Sequence, residues 1–405
     1  MISYDEALAL IAKEAAPLDT EAIAPAKALG RVLAAGVVAT RSLPPFDNTA
    51  MDGFALRAKD SQNAPCDLPV LGSVAAGDVP AMAEEAGAVE IMTGAPVPNW
   101  CDCIVPVENV DVVRDETGVP THITVKAPIT KGAHIRRAGE DVQAGQSLIA
   151  AGASLTPQSI AVLTALGVEV VSVVERPRIA LIGTGAEVVR DPATDLKGGQ
   201  IYDSNTPYLR AALRRDGFEA QVIPGSPDDT ADFLTAMAAA KGAKIIISTG
   251  AVSMGRRDFV PEALAQLGAR IVFHKCTIRP GKPILFARLP DDTYFFGLPG
   301  NPVSAAVGLA FFVMPLLDAL LGRTKAPAIR APLVNDFSKK QGFTMFTKAR
   351  LGAGGIEILP GQQSFRLAPL LVANGWAVIP AGVDGVKAGD EVDFVPFERG
   401  ALCRT

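Results

Sequence analysis

The sequence predicts a multidomain α/β plus β protein: a central doubly wound α/β domain, a β-rich domain inserted ahead of it, and a C-terminal β-barrel-like domain. Three observations carry this prediction. A chain of 405 residues is too long for one hydrophobic core, and ordinary domain size divides it into roughly two to four units. Between 178 and 323, strand-like apolar runs alternate with helix-length segments, the order expected around a parallel sheet. From 55 to 136, and again after 324, short strand-like runs are broken by Gly, Pro and Asp with no long helix among them. The boundaries read as a helical and extended linker domain over 1–45 and 137–177, the β-rich insertion over 46–136, the α/β domain over 178–323 and the barrel-like domain over 324–405.

Residues 3–15 place Ala7, Leu8, Leu10 and Ile11 at helical spacing, with Ser3 as N-cap and Glu6 three residues on. The segment 41–54 contains Pro44 and Pro45, which forbid a regular helix, and carries Asp47 and Asp52 in an extended polar stretch. A solvated linker is the plain alternative there. In the insertion the candidate strands are 70–74, 88–92, 103–107 and 123–125. Between them, Thr93-Gly94-Ala95-Pro96-Val97-Pro98 is a turn whose hydroxyl and N–H groups suit a phosphate, although paired prolines usually mark a structural turn. Thr156 as N-cap, Pro157 at the first helical position and Gly167 past the end define the next helix. It is expected to share a domain with the N-terminal one.

The α/β domain begins at Arg178-Ile179-Ala180-Leu181-Ile182-Gly183, followed by the loop Thr184-Gly185-Ala186-Glu187. Helices are expected at 205–216, 229–241 and 259–267, alternating with strands near 220, 245 and 285. Asp203 falls just before a helix start, where a carboxylate serves as an N-cap or a ligand contact. After 324, strands at 330–337, 344–351, 355–359, 376–379 and 391–395 are joined by Gly and polar turns. Arg350, Arg366 and Ser364 are the polar groups there best able to reach an oxyanion.

The stretch 244–304 organises the rest. Its apolar runs at 244–248, 283–287 and 294–298 read as strands buried on both faces of a parallel sheet, and such sheets bind ligands beyond the carboxyl ends of their strands. Gly250, Ser253, Gly255 and Asp258 lie in one of the loops there, and Pro299-Gly300-Asn301-Pro302-Val303-Ser304 forms another. Between them runs Lys275-Cys276-Thr277-Ile278-Arg279-Pro280-Gly281-Lys282-Pro283. Glycines leave backbone N–H groups exposed, and the helix opening at Pro302 adds a favourable dipole. Asp258, Lys275, Arg279 and Lys282 add one carboxylate and three cations. Each loop alone is an ordinary turn; three on one sheet edge point to a site for a phosphate-like anion.

Composition narrows the classes. Lys and Arg total 38 against 43 Asp and Glu, and the net charge of -5 offers no bulk attraction for nucleic acid or an anionic membrane. The five cysteines, Cys66, Cys101, Cys103, Cys276 and Cys403, are scattered and odd in number, which fits a reducing cytoplasm. Cys101-Asp102-Cys103 has no second Cys/His pair to complete a metal site, so plain thiols are expected. His122, His134 and His274 stand apart and support no Ser/His/Asp arrangement. Met1-Ile2-Ser3-Tyr4-Asp5-Glu6 lacks the basic and apolar regions of a signal peptide, so export is not expected. Residues 303–322 are apolar enough to raise a membrane span, but Pro315 and Asp318 lie inside and a glycine loop precedes them. A buried core helix is expected instead.

These motifs together resemble the molybdopterin molybdenumtransferases, the MoeA family that also includes the C-terminal domain of gephyrin. The resemblance runs the length of the chain. Its carriers are Pro45-Phe46-Asp47-Asn48-Thr49-Ala50-Met51-Asp52-Gly53, Ile91-Met92-Thr93-Gly94-Ala95-Pro96-Val97-Pro98, Arg137-Ala138-Gly139-Glu140-Asp141, Val252-Ser253-Met254-Gly255, Pro280-Gly281-Lys282-Pro283 and the 299–304 motif. The resemblance implies a four-domain, elongated homodimer whose α/β domain binds adenylylated molybdopterin and molybdate. With Mg2+ or a similar divalent ion, the family reaction releases AMP and places molybdenum on the pterin dithiolene.

Carried over by position, Glu187, Asp203 and Asp258 match the nucleotide and metal site, with Glu187 and Asp258 as metal ligands. Lys275, Arg279, Lys282, Ser304, Arg350 and Ser364 match the anion-binding set, and Gly250, Ser253, Gly255, Pro283, Pro299 and Asn301 line the substrate site. Asp52 and Thr93 come from the second subunit's β-rich domain. A molybdopterin adenylyltransferase and recipient molybdoenzymes are further implied partners, with no nucleic acid and no membrane. Three positions depart from the family pattern. Its Thr-Gly-Asp-Glu reads Thr184-Gly185-Ala186-Glu187 here, its lysine before Pro-Gly-Lys-Pro is Arg279, and its serine- and histidine-containing C-terminal segment reads Gly361-Gln362-Gln363-Ser364-Phe365-Arg366.

The chemistry agrees with the resemblance, because moving a metal oxyanion asks for charge neutralisation and positioning more than for a protein nucleophile. Two rival readings are a molybdopterin adenylyltransferase, which the α/β domain alone resembles, and a non-catalytic scaffold of the same fold, which Ala186 supports. The flanking β-rich domains favour metal insertion over the first.

Overall fold

The computed structural model describes residues 1–80, 86–225, 227–252, 259–324 and 329–398. Its central six-stranded sheet runs in the order Ala220–Val222, Ile179–Gly183, Ile245–Thr249, Tyr294–Leu298, Leu285–Arg288, Arg270–His274. The first four are parallel, Leu285–Arg288 runs against them, and Arg270–His274 turns back along them. The expectation of three parallel strands in 244–304 is therefore corrected at one of them. The turn at 289–293 is too short for a parallel crossover, which needs a dozen residues or more, so it can only make a hairpin.

Side-chain alternation decides what each face of this sheet carries. Ile179, Leu181, Ile245, Ile247, Phe296 and Leu298 pack with Leu209 and Leu213 of the helix Asn205–Arg215 and with Val303, Val307 and Phe312 of Pro302–Leu320. Ala180, Ile182, Ile246 and Phe295 pack on the other face with Phe233 of Thr230–Ala239 and Leu264 of Val260–Gln266. Helices on both faces make the domain doubly wound. Pro302–Leu320 is apolar and long enough to cross a membrane, yet 78% of its apolar window is buried within the protein, as a core helix requires. Its middle, Leu309–Val313, is a π-helical turn; Pro315 has no N–H to return to Phe311, and the wider turn absorbs the missing bond.

The N-terminal helix Tyr4–Glu14 is closed by the Ser3/Glu6 capping box. Its Ala7 and Ile11 join the central core, and Tyr4 meets Phe311, Phe312 and Phe346 edge-on at 6.2, 5.6 and 5.1 Å. The helix Pro157–Ala165 instead buries Leu163 with Ala28, Leu33, Leu155, Val171 and Val173. The two helices thus do not share a core, because the first finds a larger apolar surface on Pro302–Leu320.

The inserted sheet has the order Cys103–Pro106, Gly53–Leu56, Ala88–Ile91, Cys66–Val74, Pro120–Val125, Val110–Arg114. In the C-terminal unit, Thr344–Gly352, Gly375–Ile379, Glu391–Pro396 and Ile329–Pro332 follow one another antiparallel. Gly355–Ile358 returns along Thr344–Gly352, and a bridge from Leu333 to Ile356 closes the ring around Leu333, Ala349, Ile356, Ala377, Val392 and Phe394. The barrel-like expectation is met.

Candidate functional site

Reversal of Leu285–Arg288 sets Leu285 level with Gly297, and Gly297 level with Ser248. The loop 275–284 consequently leaves the sheet on the same rim as the loops after Gly183, Thr249 and Leu298. Backbone contacts knit that rim. The hydroxyl of Thr184 donates to the Thr249 carbonyl at 2.8 Å, and the Gly250 N–H donates to the Leu298 carbonyl at 2.8 Å. Gly250 has φ +92°, and a Cβ there would stand 2.6 Å from Thr184 Oγ1. A Cβ on Gly300 would meet the Cα of Gly250 at 3.6 Å, so two loops approach main chain to main chain. Asn205 Nδ2 ties the second loop down by donating to the Gly300 carbonyl at 2.7 Å.

The cationic loop is held from three sides. Thr277 N–H donates to Ile2 at 2.8 Å, and the Thr277 carbonyl accepts from Thr344 at 3.0 Å. Ile278 and Arg279 pair in register with Thr344 and Met345, adding a short strand to the barrel. At Gly281, φ +104°, a Cβ would lie 3.6 Å from the Ser304 carbonyl, so the loop rests on the start of Pro302–Leu320. Arg279 and Lys282 are exposed and Lys275 is half-buried. Among the described residues none of the three has a carboxylate partner, which leaves their charge available to an anion.

Lys348 explains how the C-terminal unit reaches this place. It is fully buried, and its ammonium donates to the carbonyls of Gln363 at 3.2 Å and Arg366 at 3.1 Å. Burial holds its pKa below the ordinary lysine value, and the nearby Arg366 guanidinium pushes the same way. Gln362 Nε2 donates to the Lys348 and Leu359 carbonyls at 2.9 and 2.7 Å. The loop so fixed presents the Ser364 carbonyl to the Val303 N–H at 3.0 Å, satisfying one of the free donors at that helix start. Ser304, two positions into the helix from Pro302, is buried.

On the inserted sheet, Asp52 Oδ1 accepts from the Thr93 N–H at 2.6 Å and from its hydroxyl at 2.7 Å. Both donors of Thr93 point at this carboxylate, as the structural alternative for the turn has it. The backbone bond first, then the hydroxyl bond, holds Asp52 below the usual carboxylate range. Both residues are exposed. Asp47, by contrast, accepts from Ala138 N–H at 2.8 Å and pairs with Arg137, tying the extended segment to the linker domain.

With this geometry in hand, the comparisons with known proteins are decisive. Residues 2–167 match the family described as "MoeA N-terminal region (domain I and II)", 180–319 match "Probable molybdopterin binding domain", and 330–397 match "MoeA C-terminal region (domain IV)". A protein of Synechococcus elongatus named molybdopterin molybdenumtransferase is 40% identical over 97% of this chain and 99% of its own length. The chain belongs to the MoeA family. A Staphylococcus aureus protein of the same name is 32% identical over 99% of this chain and 96% of its own. The solved MoeA structure from Pyrococcus horikoshii superposes with a TM-score of 0.82 at 29% identity, covering 98% of this chain and 100% of that one.

In this MoeA-family chain the rim gathers Gly250, Lys275, Arg279, Lys282, Pro283, Pro299, Asn301 and Ser304, with Ser364 brought to the helix start and Glu187 on the adjoining loop. Ser253, Gly255 and Asp258 lie outside the described residues. Arg350 sits on the barrel, where it pairs with Glu357 directly across at 2.7 Å. Asp203 is committed to structure: Oδ1 accepts from Thr206 N–H at 3.0 Å and Oδ2 lies 3.8 Å from Arg190 Nε, with the side chain 7% exposed. The N-cap alternative describes it, and Ser204, which holds the cap position, makes no side-chain cap bond.

Two residues escaped the sequence reading, Asp228 on the rim and Lys348 inside the barrel unit. Asp228 Oδ1 accepts from the Ala186 N–H at 3.3 Å. Its signal was the Asp228-Asp229 pair, since Asp229 alone caps the following helix and leaves its neighbour spare. Lys348 hid in a strand pattern, where a lysine reads as solvent-facing.

Glu187 and Asp228 flank the Gly185-Ala186 peptide; a Cβ on Gly185 would stand 2.7 Å from Glu187 Oε2. Among the described residues no group of three His, Cys, Asp or Glu could hold a metal. Mg2+ takes one or two carboxylates from a protein and completes its shell with water and substrate phosphate, so Glu187 and Asp228 are of the right chemistry to hold it.

Proposed function

We propose that this chain is a molybdopterin molybdenumtransferase of molybdenum cofactor biosynthesis, taking adenylylated molybdopterin and molybdate and releasing AMP as molybdenum reaches the pterin dithiolene. One observation carries the reading: three cations that have no carboxylate partner among the described residues share a sheet rim with a helix start and a glycine-to-glycine backbone contact, in a chain whose full-length relatives bear that name. Relatives matched over their whole length argue against a separate adenylyltransferase or a scaffold.

The place of each group sets what it contributes. The Gly250/Gly300 contact removes side chains from the rim, so a ring or phosphate can lie against main chain. Lys275, Arg279 and Lys282 neutralise a dianion, and the helix start adds partial positive charge. Glu187 and Asp228, with Asp258, would hold the divalent ion, which when bound supplies positive charge to phosphate oxygens. Cys276 is the cysteine of the cationic loop, and burial pushes its thiol up to about 12, which suits a reaction in which the sulfurs that take molybdenum are the substrate's.

Asp52, exposed and held below the usual carboxylate range, and Thr93, which donates to it, are assigned to the partner's rim in a homodimer with shared sites. The inserted, linker and C-terminal units each keep a hydrophobic cluster of their own, which supports domain divisions near 45, 136, 177 and 323, although Ala7, Ile11, Val174, Phe346 and Trp376 join the α/β core across them, and free cysteines fit the cytoplasm.

The test is AMP release followed while molybdate is titrated. Lys282→Ala removes one hydrogen-bonded charge, a loss of about 1.5 to 3 kcal/mol, or roughly tenfold to hundredfold in affinity. Half-saturation should rise accordingly, whereas Arg279→Lys should shift it much less. A wild-type half-saturation point in Lys282→Ala would place the anion elsewhere.

A further inference from the structure

We infer that Arg190 is a positioning residue: its guanidinium clamps together the three rim segments that carry Glu187, Asp228 and Asn205. This rests on the functional reading above for the reaction it serves, but the clamp itself stands on geometry. Arg190 Nη1 donates to the Ile223 carbonyl at 2.6 Å and Nη2 to the Gly183 carbonyl at 3.2 Å. Its Nε lies 3.8 Å from Asp203 Oδ2. These partners end three different elements. Gly183 closes a central strand just before the Glu187 loop, Ile223 follows the strand that leads to Asp228, and Asp203 caps the helix whose Asn205 holds Gly300.

The loop needs such a clamp. The short strands Val188–Val189 and Ile201–Tyr202 form a two-stranded ribbon separate from the central sheet. Between Gly183 and this ribbon, Glu187 is exposed and the loop is held by the Thr184, Gly185 and Ala186 bonds. Arg190, the residue after the ribbon strand, folds back and returns the ribbon to the sheet edge. Gly183 leaves room for the whole cluster: a Cβ there would stand 2.9 Å from Thr206 Oγ1, 3.1 Å from Arg190 Nη2 and 3.5 Å from Asp203 Oδ2. A planar fork can serve two carbonyls in fixed directions while its Nε, which makes no hydrogen bond among the described residues, faces the Asp203 carboxylate as an ion pair; a single ammonium has no such fixed fork.

A group that orients catalytic carboxylates acts on turnover more than on substrate binding. Arg190→Met should therefore lower kcat for AMP release about tenfold to hundredfold, with KM for adenylylated molybdopterin little changed, and Arg190→Lys should recover part of the loss. The full-length chain is compared in parallel by amide hydrogen exchange without any ligand. Arg190→Met should speed exchange about tenfold in 184–189 and 223–225, while the core strands Ile245–Thr249 and Tyr294–Leu298 keep wild-type protection, which guards against general unfolding. Unchanged exchange in those loops overturns the clamp. Faster exchange with wild-type kcat overturns the positioning role. A wild-type chain that releases no AMP overturns the functional reading, and the positioning role with it, whatever the exchange result.

Discussion

At the scale of single residues, the rim separates groups spent on structure from groups left available. Asp203 and Asp47 are carboxylates in functional-looking motifs, yet Asp203 is consumed by a helix cap and Arg190, and Asp47 by the Ala138 N–H and Arg137. Asp52 is the acid left exposed, and Thr93 keeps it ionised. Its folded pKa is depressed, so the stability from that contact is present above the ordinary carboxylate value and is lost as pH falls through the lower folded one. Thr93→Val removes the hydroxyl donor and should raise the Asp52 pKa toward its ordinary value, read by NMR titration; an unmoved pKa would mean the backbone bond suffices. The thiols give a second residue-level expectation. Burial pushes Cys101, Cys103 and Cys276 up to about 12, and only thiolates alkylate readily. Iodoacetamide at pH 8 should leave all three unmodified in the native chain and modify them in urea, as mass spectrometry would show.

At the scale of elements, the rim depends on loops pressed together at glycines. Gly250 combines φ +92° with a contact that a Cβ would violate at 2.6 Å from Thr184 Oγ1, whereas a Cβ on Gly300 meets nothing nearer than 3.6 Å. Gly250→Ala should cost about 1 to 3 kcal/mol in urea unfolding and break the Thr184–Thr249 tie. Gly300→Ala should cost much less; equal losses would show that the two glycines act through the unfolded chain alone.

At the scale of the whole molecule, the cationic loop is where separately folded parts meet. Ile2 from the N-terminal segment, Thr344 from the barrel and Ser304 from the core helix all bear on residues 277–281. Within one chain, by contrast, the hydrogen bonds of the Asp52–Thr93 pair stay inside the inserted sheet. If the pair completes a partner's rim, mixing Asp52→Ala and Glu187→Gln chains should rebuild one of two sites in each mixed dimer. Equal mixing then returns about a quarter of wild-type AMP release. No recovery despite proven subunit exchange would assign Asp52 elsewhere.

Much of this was legible in the sequence because local rules are strong there. The capping box at Ser3, the N-cap at Thr156, the buried runs at 244–248 and 294–298, the core helix after Pro302 and the glycine-bearing rim loops each follow from period, caps and turn chemistry over a few residues. What only the tertiary structure decided depends on residues far apart in the chain. A run of apolar residues is equally buried in either direction, so the reversal of Leu285–Arg288 was settled by its hairpin and by pairing with Tyr294–Leu298. Whether a carboxylate is spent or available was settled by partners such as Arg190 for Asp203 and Ala186 for Asp228, and the buried Lys348 was intelligible only once the 361–366 loop folded over it. Periodicity reports which side of an element is covered, but not which other element covers it, and the charge available at the rim is set by that second fact.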